Sequence, residues 1–376
     1  MSSKKNKDIR LKHVKKLQLK YCDDPPEMFR ECGRRFGKEK EKEIFDLYCS
    51  ISKPDFYLRK NADYDLAMVF SGAYDADIIR NLCNWISDNR DNFGDTILEI
   101  GCDCGFVTTF LGSIFPEKKI LSIDRNPNSI SIAKKNCEKF GITNVEFECC
   151  DAKDIGDRKF DTVLSARTLP QNIDYKEDVT LELIPSANRF AEELGSYARV
   201  LSSLVKDSGN LITIERTSLD AMFLGWLMAL AGSDLNPCYK GMLKFREMGQ
   251  KKKLSAFICN KADDKVDAEE IFCYICLKEM NVHLSNYKGW EAKIMFEYTK
   301  GAKILEYLID NRFENVKSHL ALYQHVNDDT CILIYQSHNG NATLTYLDIS
   351  LKEKKESELL NLVKGAVESQ YIVEEL

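Results

Sequence analysis

No stretch of this 376-residue chain reaches the roughly 18 consecutive apolar residues that a bilayer-spanning helix needs. Its first twenty residues hold eight Lys or Arg, among them Lys15 and Lys16, which interrupt any apolar run of signal-peptide length. No membrane association is expected, and a cytoplasmic location is. Neither charge sign dominates: 53 basic and 59 acidic residues leave a net charge of −6. That balance supplies no overall attraction to nucleic acid, and a nucleic-acid partner is not expected. The fourteen cysteines lack the spacing of a secreted disulfide framework and read as reduced, small core residues. Histidine is scarce, with only His13, His283, His319, His325 and His338. Cys273-x-x-Cys276 with His283 invites a zinc reading, but a fourth ligand at workable spacing is missing. The run 271–277 also reads as a strand, which would place the two thiols on opposite faces, so no metal is expected. The chain shows no internal repeat and no long low-complexity tract.

A chain of this length exceeds the size at which one hydrophobic core stops growing, so two or three domains are expected. Its 44% apolar and 30% charged residues are an ordinary globular balance. Residues 1–92 read as a helical extension. A basic helix at 1–20 is followed by a break at Pro25-Pro26, loosely helical spacing over 27–50 and a clear helix at 75–88. From residue 93 strand and helix alternate, with strands at 96–100, 119–124, 145–149, 160–165 and 210–215. Helices are expected at 106–115, 127–140, 187–205 and 218–231, and two neighbouring strands at 241–248 and 253–260. Such alternation implies an α/β, doubly wound, mostly parallel sheet, closed here by an antiparallel last pair. The polar stretch 261–265 ends this domain, which spans 93–262. Residues 263–376 read as a small α+β domain with strands near 271–277, 303–309, 317–325, 330–336 and 342–348, helices near 289–299 and 352–368, and a hairpin turn at Asn339-Gly340-Asn341.

The chemistry concentrates in Leu98-Glu99-Ile100-Gly101-Cys102-Asp103-Cys104-Gly105. A strand that ends in glycines and opens into a helix lets backbone approach a ligand, and the helix N-terminus adds free N–H groups and partial positive charge. Glu99 stands two residues before the first glycine, and the glycines do not fit the G-x-G-x-x-G turn of dehydrogenases. A carboxylate there would repel a pyrophosphate but suits a ligand bearing an ammonium and a sulfonium. Asp124 closes the second strand, nineteen residues after Gly105, where an acid can accept hydrogen bonds from a ribose diol. Asp151 follows the third strand, beside Ala152, and can accept from an adenine amino group. Three acids at three successive strand ends would point into one crevice.

In these residues the chain resembles the class I S-adenosylmethionine-dependent methyltransferases. Glu99-x-Gly101-x-x-x-Gly105 is similar to their first motif, Asp124 to the ribose-binding acid, and Asp151 with Ala152 to the adenine-contacting pair. Residues 160–167, with Ser165, are similar to the strand that ends at the reacting methyl group. The resemblance implies a seven-stranded Rossmann-like core, S-adenosyl-L-methionine as cofactor, and a cofactor site of Glu99, Gly101, Cys102, Asp103, Gly105, Asp124, Arg125, Asp151, Ala152 and Ser165. One departure is Asp103, which occupies the middle glycine of the family loop. It supports an alternative: a catalytically inactive methyltransferase-fold binding or scaffold protein.

Methyl transfer from a sulfonium is an in-line displacement, so alignment supplies much of the catalysis, and a base is needed only when the acceptor must lose a proton. No histidine falls in the core. Candidates beside the methyl are Arg167 and Glu215, together with Ser165, Gln171 and Arg216. The expected acceptor is a small molecule or a protein. The absence of Asn/Asp-Pro-Pro-Tyr after the fourth strand argues against exocyclic base amines. Tyr64, Phe70 and Tyr74 are candidate aromatic walls, residues 1–92 a candidate cleft cover, and residues 263–376 a candidate surface for a protein partner or self-association.

Overall fold

β1 (Thr96–Ile100), the strand that carries Glu99, is buried from Ile97 onward, as a central strand covered on both faces must be. It pairs in parallel with β2 (Lys119–Ile123) and β4 (Phe160–Ala166), with Leu98 opposite Leu121 on one side and Val163 on the other. β3 (Val145–Glu148) and β5 (Val205–Glu215) extend the parallel set. β6 (Leu235–Glu247) and β7 (Gln250–Lys261) close it, β7 running antiparallel to both neighbours. The order is β3-β2-β1-β4-β5-β7-β6. Strand order therefore reverses between β1 and β4, the topological switch point where open α/β sheets bind ligands at their carboxyl edge. The expected α/β, doubly wound, mostly parallel seven-stranded core is present.

The computed structural model describes residues 13, 15–51, 53, 55–169, 183–216, 220–261, 266–279, 287–326, 328–339 and 341–376. They divide into two compact units. The first lies within residues 1–173, 195–217 and 230–266, and the second within 174–194, 218–229 and 267–376. No described helix is long and apolar enough to cross a membrane.

In the first unit, the helical spacing over 27–50 splits into Pro25–Phe36 and Lys38–Tyr48, because Gly37 turns at φ 94°. The helix expected at 75–88 begins at Tyr64, where Asp63 accepts from the Leu66 amide at 2.9 Å, and runs 25 residues to Asp88. Its first half is apolar on most sides and carries no periodicity to read. Most of the expected basic helix at 1–20 lies outside the described residues.

The second unit contains an antiparallel sheet in the order β13-β9-β10-β11-β12-β8, comprising Ile372–Glu375, Lys300–Asn311, Val316–His325, Asp328–His338, Asn341–Asp348 and Tyr287–Lys288. Alternate residues face opposite ways. Ala321 and Tyr323 pack with Phe296 of the helix Trp290–Thr299, and Leu322 with Leu359 of the helix Lys352–Glu368. One expectation fails here: the run 271–277 is not a strand but part of the helix Ala268–Glu279. Asp267 accepts from the amides of Glu269 and Glu270 at its start, and Phe272 and Ile275 are buried three apart. Capping and 3.6-residue periodicity prevail over a short apolar run. The opposite-faces argument against zinc falls with the strand. His283 and the side chains of Cys273 and Cys276 lie outside the described residues, among which no cluster of three metal-ligating groups occurs.

Candidate cofactor site

The loop after β1 is folded by its glycines. Gly101 and Gly105 adopt φ of 74° and 73°, a region that costs other residues dearly. A Cβ on Gly105 would stand 2.7 Å from the Ala133 Cβ, so only glycine lets the helix Pro127–Phe140 approach this turn. The Gly101 and Cys102 amides both donate to the Ile123 carbonyl, at 2.9 and 3.0 Å, which ties the loop to the end of β2. The helix Phe106–Ile114 then begins without a side-chain cap, leaving its first-turn amides and positive dipole end for a ligand.

Glu99 lies beneath this loop, 4% exposed. Its Oε2 accepts from Thr108 Oγ1 at 2.5 Å and from Ser122 Oγ at 2.7 Å. Burial raises its pKa to about 7, against the pull of those two hydroxyls. Asp124 ends β2 and accepts from the Asp103 amide at 2.9 Å and the Asn126 amide at 2.8 Å. Burial pushes its pKa upward, and the same two amides pull it back.

Asp103, the departure from the family loop, turns its carboxylate toward the N-terminal segment. Oδ2 accepts from Lys60 Nζ at 2.7 Å and Oδ1 from Asn61 Nδ2 at 2.6 Å. Lys60 is 2% exposed and donates also to Ser71 Oγ at 3.1 Å. Burial alone would depress the ammonium, but the Asp103 charge reverses the shift and holds Lys60 protonated. Burial likewise opposes ionisation of Asp103, and Lys60 with Asn61 prevails, lowering its pKa. Such a pair tolerates burial because each charge is matched and hydrogen-bonded.

Past β4, Arg167 takes φ 62° and gives Nη1 to Asp75 Oδ1 at 2.7 Å. Burial works against its charge, and the Asp75 carboxylate more than restores it. Glu215, at the end of β5, is 1% exposed. It accepts from the Thr168 and Leu169 amides at 3.2 and 3.1 Å and from Thr168 Oγ1 at 3.1 Å. Burial raises its pKa to about 7 against those bonds. Ser165 is buried in the same network, 2.7 Å from Thr168 Oγ1 and 3.3 Å from Tyr197 Oη. Arg216 pairs with Glu247, and Gln171 lies outside the described residues.

A cavity of about 380 Å3 opens over these strand ends, within the usual size range of ligand pockets. Its walls bring together Glu99, Gly101, Cys102, Asp103, Asp124, Arg125 and Arg167. A neighbouring cleft of about 50 Å3 holds Asp151 and Ala152 and shares Gly101, Asp124 and Arg125 with it. Arg125 Nη1 is 3.6 Å from Asp151 Oδ2 across that cleft. Gly105, Ser165 and Glu215 line neither space; they shape the loops that do. Tyr57, Asp75, Ile79 and Leu82 of the N-terminal segment form another wall. The sequence reading missed Tyr57, Lys60, Asn61 and Asp75. Its one available signal was Asp103, since an acid in a glycine loop asks for a counter-charge. Phe70 and Tyr74 instead stack on each other at 4.7 Å, and Tyr64 donates to Asn136 at 2.8 Å; none of the three lines the cavity.

The strand order with its reversed β7, the glycine loop after β1 and the acids at successive strand ends are the features in which this domain resembles the class I S-adenosylmethionine-dependent methyltransferases. Residues 91–224 match the family described as a methyltransferase domain, and S-adenosyl-L-methionine is the cofactor of that class. Malonyl-[acyl-carrier protein] O-methyltransferase of Acetivibrio thermocellus is 36% identical over 73 residues, covering 19% of this chain and 25% of that protein. Release factor glutamine methyltransferase of Buchnera aphidicola is 29% identical over 136 residues, covering 35% and 44%. The chain thus spans a quarter to under half of the length of these relatives. The crystal structure of magnesium protoporphyrin IX methyltransferase from Synechocystis PCC 6803 with bound SAH covers 58% of this chain and 100% of that one, at 14% identity and a TM-score of 0.40.

Proposed function

We propose that this protein binds S-adenosyl-L-methionine in the crevice over β1, β2 and β4 and transfers its methyl group to a protein or small-molecule acceptor. The observation that carries the reading is one cavity lined at once by the Gly101 turn, Asp124 and Arg167. The glycine turns fit the cofactor as a cradle, since a Cβ on Gly101 would meet Thr168 Cγ2 at 3.1 Å and crowd the wall a ligand must pass. When bound, the cofactor supplies a methyl group on a positively charged sulfur.

In this reading Asp124 accepts from the ribose hydroxyls and Asp151 from the adenine amino group. The uncapped first turn of Phe106–Ile114 faces the carboxylate of the amino-acid end. Arg167, its charge already matched by Asp75, shapes the acceptor side and holds the long N-terminal helix against it. Glu215 fixes the loop after β4, so that Ala166 and Arg167 keep their place at the cavity wall. The arrangement catalyses by alignment and exclusion of water, and an acceptor that already presents a lone pair needs no base. Asp103 motivates the scaffold alternative, but Lys60 and Asn61 hold its side chain, and its amide supports Asp124.

Calorimetric titration with S-adenosylhomocysteine tests the reading. Binding is expected, and Asp124→Ala should weaken it by about tenfold or more, the value of a hydrogen bond to a charged group. Unchanged affinity in a folded Asp124→Ala protein would remove the site.

A further inference from the structure

We infer that the β6–β7 hairpin is a docking surface for an acidic face of a protein methyl acceptor, an inference that rests on the cofactor reading above. β5 ends at Glu215, which pairs with Ser255 of β7. Because β7 runs antiparallel, residues 250–254 and their β6 partners 243–247 project past the carboxyl edge of the sheet by about 17 Å at 3.4 Å per residue. This is the edge that bears the crevice. The hairpin is tied to the cavity wall, since the Arg246 amide donates to Asp77 Oδ2 at 2.7 Å, two residues beyond the cavity-lining Asp75.

One face of the projecting ribbon, bearing Leu243, Phe245 and Leu254, belongs to the core. The other carries Lys244 directly opposite Lys253 and Arg246 directly opposite Lys251, all four exposed. Like charges placed directly opposite destabilise an antiparallel pair. Lysines on an edge strand guard against aggregation, which accounts for β6. Ahead of Ser255, β7 has no partner among the described residues but β6, so the same holds for Lys251 and Lys253. What edge protection does not require is that the charges stand directly opposite one another, where an acid would have formed a favourable cross-strand pair. Three carboxylates near the ladder are paired elsewhere: Glu247 is held by Arg216, Asp77 by Arg80 and Glu27 by Lys20. The turn is anchored by the Gly249 amide donating to Tyr21 Oη at 2.8 Å, directly after the basic sequence 4–20. In a chain of net charge −6, this exposed cationic ladder therefore stands beside the edge that bears the crevice.

The chemistry of the ladder separates two kinds of polyanion. Arginine forks and stacking aromatics are the tools of phosphate and base recognition. This ladder is three lysines to one arginine, and of its aromatic neighbours Phe245 is buried and Tyr21 is half-buried with its hydroxyl on the Gly249 amide. Hydrated lysine point charges instead steer a complementary acidic surface and set its orientation.

The test is fluorescence anisotropy of labelled poly-L-glutamate with the full chain, beside poly(U) RNA and an S-adenosylhomocysteine titration of the same samples. The variant K244Q/R246Q/K251Q/K253Q is expected to bind poly-L-glutamate about tenfold or more weakly, with S-adenosylhomocysteine affinity unchanged. A control, K352Q/K354Q/K355Q/K364Q, removes the same charge from the last helix and should change binding by less than about twofold. Raising salt should weaken the wild-type interaction. Equal loss in both variants, no loss in the first, or tighter binding of RNA than of poly-L-glutamate would overturn the inference. Absence of S-adenosylhomocysteine binding would instead strike the cofactor reading.

Discussion

The two halves of the carboxyl edge are each pinned by a buried glutamate, and they are pinned differently. On the cofactor side Glu99 accepts hydroxyls from Thr108 and Ser122, and the helix after the loop keeps an uncapped N-terminus. On the side proposed for the acceptor Glu215 takes up the backbone amides of Thr168 and Leu169, so that loop is tied to β5. A half that binds an invariant small molecule keeps backbone donors for it. A half that shapes a pocket for a larger partner uses its donors internally and presents side chains instead.

The sharpest break of this comparison is Asp103→Ala. It leaves Lys60 buried without a counter-charge, and denaturant unfolding should show a loss of about 3–5 kcal/mol. S-adenosylhomocysteine affinity should fall with it, because the lost side-chain bonds to Lys60 and Asn61 hold the loop whose residue-103 amide supports Asp124. Next come the glutamates. Both have folded pKa values of about 7, above the unfolded value near 4.3. Each folded carboxyl therefore holds its proton where the unfolded one has lost it. The stability they contribute is full below about pH 4, falls as pH rises to 7, and is gone above that. Each should account for on the order of 3 kcal/mol across that window. Glu99→Gln and Glu215→Gln should each flatten the pH dependence of unfolding, and only Glu99→Gln should also weaken S-adenosylhomocysteine binding. An equal cofactor effect from both variants would erase the distinction between the halves.

Gly105→Ala should cost about 1–3 kcal/mol through its positive φ and the contact with Ala133, read as a lower melting temperature. The smallest effect is Arg158→Ala. Its bidentate pair with Glu148 is 45% and 39% exposed, and its removal should cost under about 1 kcal/mol without altering cofactor binding.

What was legible in the sequence follows the same division. Glu99, Gly101, Gly105, Asp124 and Asp151 could be read because each stands at a strand end and the strands announce themselves by apolar runs. Lys60, Asn61 and Asp75 could not, because their meaning comes from residues 42 to 92 positions away: Asp103 for Lys60 and Asn61 and Arg167 for Asp75, with Ser129 also bonded to Asn61. Glu215 was legible as an acid at a strand end, but its partners Thr168 and Leu169 lie across β4. The helix Ala268–Glu279 was misread because Ile271-Phe272 and Tyr274-Ile275 are strand-forming types, while the cap that decides the matter is the single Asp267. The strand pairs of the antiparallel sheet were read well, since hairpin turns and two-residue alternation are both local.

The Lys60–Asp103 pair carries a consequence for how such a chain can change. Substituting glycine for Asp103 would strand a buried cation, and removing Lys60 first would leave a carboxylate in the loop without its counter-charge. Each single step descends, while the two together lead to the ordinary family loop. The pair is therefore an epistatic ratchet, binding the segment before β1 to the loop after it as one heritable unit.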